Sequence, residues 1–573
     1  MENKEYLDLY RHSAAHVMAH AVKRLFPEVK LGIGPPIEDG FYYDFDLPQT
    51  LTPELFSRIE EEMEKIIIAD YPFVREELSY EEAKSLLLKD KEDYKLELLE
   101  GFRDDTLSIY RSGDFFDLCR GPHLESTGKI KAFKLLSVAG AYWKGDEQRP
   151  MLQRIYATAF PDKKALRKHL AAIEEAKKRD HRKLGREMDL FSFHEEAPGA
   201  PFFHPLGVVL YNNLLEFWRK IHSAHGYEEV MTPLILKDEL WHQSGHWEHY
   251  KDHMYLSTVG EQGYAVKPMN CPGTLLLYKE NQHSYREFPL KIAELGRVHR
   301  LEMTGVLHGL FRVQSFIIDD AHIFCLPEQI KEEIEKVAEL ILDIYRQVGF
   351  TEYQIEISTR PEKSIGSDED WELATRSLME ALDEKKIEYT VSEGEGAFYG
   401  PKIDFHIKDC LKRTHQCGTI QLDFSMPRRF ELEYVGSDGE KHRPVMIHRA
   451  AFGSIERFLA ILLEHYGGML PLWLAPVQAI VLPISEKFSR YAGEVNAALK
   501  KAGIRVELDI RNEKIGYKIR AARIRKIPYM LVVGSAEAEA GTVAVRKLKE
   551  GQMGEWKIQD FIDEILDGED KRH

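Results

Sequence analysis

Cysteine is scarce in this 573-residue sequence: Cys119, Cys271, Cys325, Cys410 and Cys417 are its five, with no CxxC pair. A sparse, odd-numbered set excludes a disulfide-built secreted scaffold and fits a reducing compartment. No apolar run approaches the ~18 residues of a membrane span, and the best, Val477 to Ile484, falls far short. The opening MENKEYLDLYRHSAAH is charged and lacks the apolar core of a signal peptide. Internal repeats and low-complexity tracts are absent as well. There is no GxxxxGK[ST], and no GxGxxG opening a helix after a strand, so any bound ATP is held without a P-loop. The expectation is a soluble, cytoplasmic protein that binds no membrane.

What is present is ordinary for a globular chain, at 43% hydrophobic and 30% charged residues. The length predicts three or four domains. Lys plus Arg minus Asp plus Glu gives 78 − 95 = −17, which excludes bulk attraction to DNA or acidic lipid but leaves room for local basic patches.

Changes of texture predict the boundaries. Residues 1–161 mix a helical opening with strands and turns, an α+β pattern, and a helix is expected from Leu55 to Ile68. Residues 162–187 carry ten Lys/Arg against five Asp/Glu without internal proline. They predict one solvated basic linker helix with Asp162 as N-cap, or alternatively a surface for tRNA. Residues 188–470 combine β-rich runs with helices such as Pro327 to Val348. Residues 471–573 alternate strand and helix, an α/β pattern.

Two Cys/His clusters invite chemistry. His12 and His16 (with His20 beyond) share a helical face, and Cys119 and His123 follow in CRGPH. That set suits a metal site, a general acid/base pocket, or surface or core histidines without chemistry. Cys271, His322 and His448 form a credible Zn2+ set, although their separations match no compact zinc-finger spacing. Arg300 and Glu302 are expected on a strand in GRVHRLE, with Arg312 in GLFRV and Arg457 on an apolar helix. Such arginines must pair or face a cavity, and several together suggest phosphate or carboxylate recognition.

GRVHRLE resembles motif 2 of the class II aminoacyl-tRNA synthetases, FGSIERFLAIL motif 3, and GYEEVMTP (Gly226 to Pro233) the dimer-interface motif 1. KPMNCPG, SGHWEHYKDHM, STRPEKSIGSDEDWE, GEGAFYGPKIDF, QCGTIQLDF and RNEKIGYKIR resemble the threonyl-tRNA synthetases in particular, along essentially the whole chain. The resemblance implies an α+β editing domain, a catalytic domain built on an antiparallel sheet, and an α/β anticodon-binding domain. It implies one Zn2+ on Cys271, His322 and His448, selecting threonine through its amine and hydroxyl, with Asp320 helping to hold the hydroxyl. Arg300, Arg312 and Arg457 would clamp the phosphates of Mg2+-ATP and Glu302 would read the adenine. His246 would assist transfer to the tRNA 3′ end, while Lys402, Tyr399 and Gln416 would line the pocket. In the family the first domain hydrolyses mischarged serine by positioning a water without zinc. His12, His16, Lys95, Asp117, Cys119 and His123 match its site. Asn512, Glu537 and Arg546 match positions that read anticodon bases, and Arg511 to Lys526, with seven Lys/Arg and one acidic residue, supplies local positive charge. The implied partners are tRNA(Thr), ATP, L-threonine and a second copy in a homodimer, with no DNA.

Two departures from the family pattern stand out, one ahead of the editing domain and one in the active site. The small ubiquitin-like domain that many bacterial members carry ahead of the editing domain is not expected here, since His12 follows only eleven residues, and it is expected to be dispensable. RVQSFIIDDAH replaces the usual RVRGFTQDDAH, so Gln314, Ser315, Ile317 and Ile318 differ, and Thr274 replaces a histidine. Loss of an amide and added apolar bulk bear on substrate affinity or inhibitor resistance. The competing readings are a specialised or inhibitor-resistant paralogue, a non-catalytic tRNA-binding paralogue, and a zinc hydrolase built on His12 and His16.

Overall fold

The computed structural model describes residues 2–102, 107–146 and 148–570. The chain divides into two compact units, Met1–Glu175 and Ala176–His573.

In the first unit, helix α1 (Glu2–Leu25) buries Tyr10, Ala14, Ala15, Val17, Met18, Ala19, Ala21 and Val22. The small residues let it lie close against antiparallel strands Gly40–Asp46 and Met151–Phe160 and the helix Phe56–Ala69, within a residue of the expected helix. A separate antiparallel sheet, in the order Val74–Leu78, Leu107–Ser112 and Phe115–Leu118, brings Asp117 beside α1.

The expected single linker helix is two helices, α2 (Lys163–Arg179) and α3 (His181–Glu187). Asp162 accepts from the backbone N–H groups of Lys164 and Ala165 at 2.8 Å, capping α2 as expected. Asp180, at φ −48° and ψ 120°, leaves the helical conformation and caps α3 through Arg182 N–H at 2.8 Å. A carboxylate that satisfies the next turn's N–H ends one helix and starts another. The solvated-face expectation holds for α2, which buries no side chain, whereas α3 buries His181 and Leu184.

The second unit is built on an eight-stranded sheet. After helix α4 (Cys271–Lys279) come β1 (Leu290–His299) and β2 (Ser315–Cys325), then α5 (Ile330–Gln347) and β3 (Tyr353–Ser358). β4 (Lys402–Lys408), β5 (Thr414–Asp423), β6 (Val445–Ser454) and α6 (Ile455–Tyr466) follow. The order across the sheet is Glu228–Glu229, β1, β2, β6, β5, β4, β3, Thr390–Ser392. The labelled strands pair antiparallel, and only the two short edge strands pair parallel. Ile355, Ile357, Ile403, Phe405, Ile407, Ala321 and Ile323 point into the core, where α5 and the helix Asp368–Glu384 pack. Strand alternation therefore sends Lys402, Asp404, Asp320 and His322 to the opposite face.

The strand expected to carry Arg300 and Glu302 stops at His299. One further bond, Arg300 N–H to Gln314 carbonyl at 2.8 Å, continues the pairing before the chain leaves the sheet, so both residues sit on the loop joining β1 to β2. Towards the carboxyl end, a five-stranded sheet runs Val506–Leu508, Ala479–Pro483, Tyr529–Val533, Thr542–Lys547, Gly551–Lys557. Its first three strands are parallel and the last two antiparallel. Gly551–Lys557 lies outside the expected strand set, because GQMGEWK carries no apolar alternation.

Candidate active sites

A cavity of about 460 Å3 opens on the polar face of the eight-stranded sheet. It brings together Arg300, Glu302, Arg312, Lys402, Gln416 and Arg457, drawn from the β1–β2 loop, β4, β5 and α6. Arg312 Nη2 donates to Glu302 Oε2 at 2.9 Å, so two residues expected to meet the nucleotide hold one another. Arg300 lies over the Phe316 and Tyr250 rings at 5.3 and 5.5 Å and donates from Nε to the Pro268 carbonyl at 3.3 Å. Lys402 Nζ is 2.7 Å from Asp404 Oδ2. Ser454 Oγ accepts from Arg457 N–H at 3.2 Å, fixing the first turn of α6, and Arg457 Nε is buried without a partner. Positive groups with spare donors around a concave floor suit a polyphosphate or carboxylate.

Beside this cavity Cys271, His322 and His448 come together, all buried, with ligand atoms within 4.8 Å of one another. His322 has both ring nitrogens buried and unpartnered, an arrangement that costs desolvation energy unless something coordinates the ring. His448 Nε2 lies 2.9 Å from Asp423 Oδ2, which orients the ring as carboxylates orient metal-bound histidines. Burial pushes the Cys271 thiol well above its usual range. A bound dication reverses that preference by converting thiol to thiolate. The donor set therefore fits Zn2+. Asp320, raised to about 6 chiefly by burial, accepts from Asn270 Nδ2 at 3.1 Å and lies 3.7 Å from His322 Nε2. The Tyr399 ring is 5.0 Å from that of His448, and its hydroxyl bonds to Gln421. His246 is fully buried, with Nδ1 2.8 Å from Ser244 Oγ and Nε2 3.0 Å from Met269 Sδ, and burial lowers it to about 3.

The departing residues divide by face. Ile318 lines the cavity, whereas Ile317 packs against the core and donates its N–H to Glu456 Oε2 at 3.0 Å. Gln314 is built in: its amide oxygen takes the Tyr255 hydroxyl, and its Nε2 donates to the Glu302 carbonyl at 3.3 Å. Ser315 Oγ accepts from Arg297 at 3.5 Å, and Thr274 Oγ1 is buried without a partner.

In the first unit the two halves of the other cluster do meet. His12, His16, Cys119 and His123 present ligand atoms within 4.8 Å of one another. Cys119 Sγ is 3.3 Å from both His12 Nε2 and His123 Nε2, and His123 Nδ1 is 3.3 Å from Ser13 Oγ. His12 and His123 thus already share hydrogen bonds, unlike His322. Burial lowers His12, His16 and His123, and pushes the Cys119 thiol up to about 11, so the group is uncharged at neutral pH. Beneath it, Asp117 is gripped by Lys95 Nζ at 2.6 Å and by the Tyr43 hydroxyl at 2.5 Å. His20 stands apart, bonded to Asp114 at 2.8 Å. Tyr43 and Ser13 escaped the sequence reading because their roles depend on partners 74 and 110 residues away.

The anticodon candidates are less closely gathered. Asn512 and Glu537 follow the carboxyl ends of two parallel strands, while Arg546 is the last residue but one of the strand Thr542–Lys547, opposite Met530, and bonds to Gln552 at 3.2 Å. Glu537 caps its own helix through Gly534 N–H at 2.7 Å. The basic stretch is also less exposed than its composition suggests. Lys518 is buried on the Pro483 and Asp509 carbonyls, and Arg511 and Arg525 pair with Asp509 and Glu507.

Three family models match in order along the chain. The threonyl and alanyl tRNA synthetase second additional domain covers residues 107–156, the tRNA synthetase class II core domain (G, H, P, S and T) covers 255–466, and an anticodon binding domain covers 478–567. The antiparallel sheet with its arginine-lined cavity is thus the core of a class II aminoacyl-tRNA synthetase. A threonine–tRNA ligase of Syntrophomonas wolfei is 60% identical over 99% of this chain and 89% of its own length, and one of Carboxydothermus hydrogenoformans is 58% identical over the same shares. A crystal structure of the RNA binding domain of threonyl-tRNA synthetase from Cryptosporidium parvum superposes with TM-score 0.66 at 44% identity, covering 68% of this chain and 98% of that one. The chain belongs to the threonyl-tRNA synthetase family.

Proposed function

We infer that the protein is a threonine–tRNA ligase: it activates L-threonine with ATP, transfers it to the 3′ end of tRNA(Thr), and hydrolyses mischarged Ser-tRNA(Thr). One observation carries the synthetic half, an arginine-lined cavity adjoining a buried Cys/His/His trio in which both nitrogens of His322 lack a partner. Zn2+ on Cys271, His322 and His448 supplies a recognition point for the threonine amine and hydroxyl, a demand that valine cannot meet. Asp320 accepts the hydroxyl proton in a hydrogen bond, and Tyr399 and Gln416 close the pocket around the side chain. Arg300, Arg312 and Arg457 take the phosphates of Mg2+-ATP, Glu302 takes the adenine amine, and Lys402 lies along the same floor. Such chemistry is dominated by positioning and charge stabilisation. His246 assists transfer to the tRNA, and Asn512, Glu537 and Arg546 read the anticodon.

Serine shares the zinc-binding groups and is smaller, so a second, hydrolytic site is required. His12, His16, Cys119 and His123 are uncharged and converge on one pocket, with Lys95 and Asp117 behind them. There a neutral imidazole can accept a proton from water attacking the seryl ester. The domains read from the sequence, 1–161 for editing, 188–470 for synthesis and 471–573 for the anticodon, carry these tasks, with 162–187 joining the first two. The stretch Gly226 to Pro233, where Met231 is 91% exposed, offers an apolar contact for a second copy in a homodimer. The protein works in the cytoplasm.

ATP–pyrophosphate exchange with threonine, serine or valine, on metal-analysed protein, tests this reading. Threonine-dependent exchange with valine silent is expected, together with loss of both zinc and exchange in Cys271→Ala. Normal exchange by a zinc-free variant overturns the metal assignment, and no exchange by the zinc-loaded parent overturns the ligase reading. Sedimentation of the same sample checks the dimer, and a monomer at micromolar concentration excludes it.

A further inference from the structure

His181, the first residue of α3, lies in the segment read from sequence as a basic linker or a surface for tRNA, yet it reaches the loop that carries the cavity's aromatic and basic residues. The imidazole is fully buried, with Nδ1 2.7 Å from Glu464 Oε1. Nε2 accepts the Leu310 backbone N–H at 3.0 Å. An amide N–H can only donate, so Nε2 carries the lone pair and Nδ1 carries the proton, which it gives to Glu464. Asp180, His181 and Glu464 present ligand atoms within 4.8 Å of one another, but both ring nitrogens are already engaged and Asp180 is held by Arg182.

The loop is shaped to meet this ring. Gly309, at φ +50°, passes so close that a Cβ there would sit 2.2 Å from His181 Nε2. The next residues are Leu310, which makes the hydrogen bond, and Phe311 and Arg312, which line the cavity. The Phe311 ring meets His181 edge-on at 4.7 Å and stacks on His415 at 5.5 Å. Behind His181, Glu464 also takes the His181 backbone N–H at 3.0 Å and Arg413 Nη2 at 2.6 Å, so the imidazole is held from one side while it holds the loop on the other.

We propose that His181 is a positioning residue for the nucleotide, fixing Phe311 and Arg312 in the ATP cavity through Leu310 N–H. This rests on the ligase reading above. Two substitutions separate its two bonds. Asparagine places its amide nitrogen where Nδ1 stood, keeping the donor to Glu464 and losing the acceptor for Leu310. Glutamine places its amide oxygen where Nε2 stood, keeping the acceptor and losing the donor.

In threonine-dependent pyrophosphate exchange by the full chain, His181→Asn should raise KM for ATP about tenfold, the scale of one stranded buried N–H. KM for threonine should stay within about twofold, and His181→Gln should restore KM for ATP to within about threefold of the parent. A purely structural histidine gives a different pattern, in which both variants lose thermal stability and neither, or both equally, shift KM for ATP. That result overturns the proposal. Should His181→Asn fail to fold, Gly309→Ala approaches the same contact from the loop, where a raised KM for ATP is expected and an unchanged one overturns the proposal. The parent's own exchange activity reports on the ligase reading, and only the ratio of variant to parent reports on His181.

Discussion

Among the buried imidazoles, His222 gives the cleanest account of how one ring bears on stability. It stacks on Trp218 at 3.8 Å and donates from Nδ1 to the Trp218 carbonyl at 2.6 Å. Burial, and then the nearby Arg449 charge, lower it to about 2. Between that value and about 6.5, its usual range, the unfolded chain is protonated and the folded chain is not. The unfolded state therefore binds more protons, and stability falls as pH drops below about 6.5, by up to about 1.4 kcal/mol per pH unit from this group. His222→Asn keeps a donor at the Nδ1 position and cannot be protonated. Urea unfolding should show the variant's deficit at pH 7.5 shrinking by about 1 kcal/mol at pH 5.5. Parallel pH dependences for variant and parent would remove His222 from the account.

At the scale of elements, α6 shows how a cap becomes part of a site. Ser454 ends β6 and accepts from Arg457 N–H, so one hydroxyl fixes the turn that presents a cavity arginine. Ser454→Ala should cost about 1 kcal/mol of stability, as a lost N-cap does, and raise KM for ATP several-fold. Ser454→Thr, which keeps the hydroxyl, should restore both, and an unchanged KM in the alanine variant would separate cap from site. This element was legible in FGSIERFLAIL because helix periodicity, the glycine near its start and the stranded arginine all lie within a few residues. The same holds for α1 and its His12/His16 pair. The end of β1 at His299 was not legible, since GRVHRLE keeps its alternation beyond the sheet and only the Gln314 partner marks where pairing stops. Nor was the break at Asp180, where the carboxylate competes with a helix whose composition runs on unchanged. The meeting of Cys119 and His123 with His12 and His16 lay outside sequence reach too, because a three-stranded sheet that begins only at Val74, far beyond α1 in the chain, delivers it.

For the molecule as a whole, the division into Met1–Glu175 and Ala176–His573 sets what one substitution can reach. Each unit has its own hydrophobic core: one gathers around Tyr10, Met18, Phe41 and Ile155, the other around Leu214, Ile341, Phe405 and Phe458. The four residues of the His12 group lie wholly in the first unit, and the arginine cavity with its Cys/His/His neighbour lies wholly in the second. Among the described residues, the partners given above for the synthetic site do not include His12 or His16, and substitutions without shared partners act independently. His12→Ala with His16→Ala should therefore leave threonine-dependent pyrophosphate exchange within about twofold of the parent. Deacylation of Ser-tRNA(Thr) should fall by about 100-fold or more, the scale of lost general acid–base catalysis. Serine should then accumulate on tRNA(Thr) in a charging assay. The converse variant, Arg457→Ala, should abolish exchange and leave deacylation of pre-charged Ser-tRNA(Thr) at the parent rate. If the histidine pair impaired exchange as deeply as deacylation, the two units would be acting as one machine. If deacylation survived the loss of both histidines, hydrolysis would have to be sought outside this cluster.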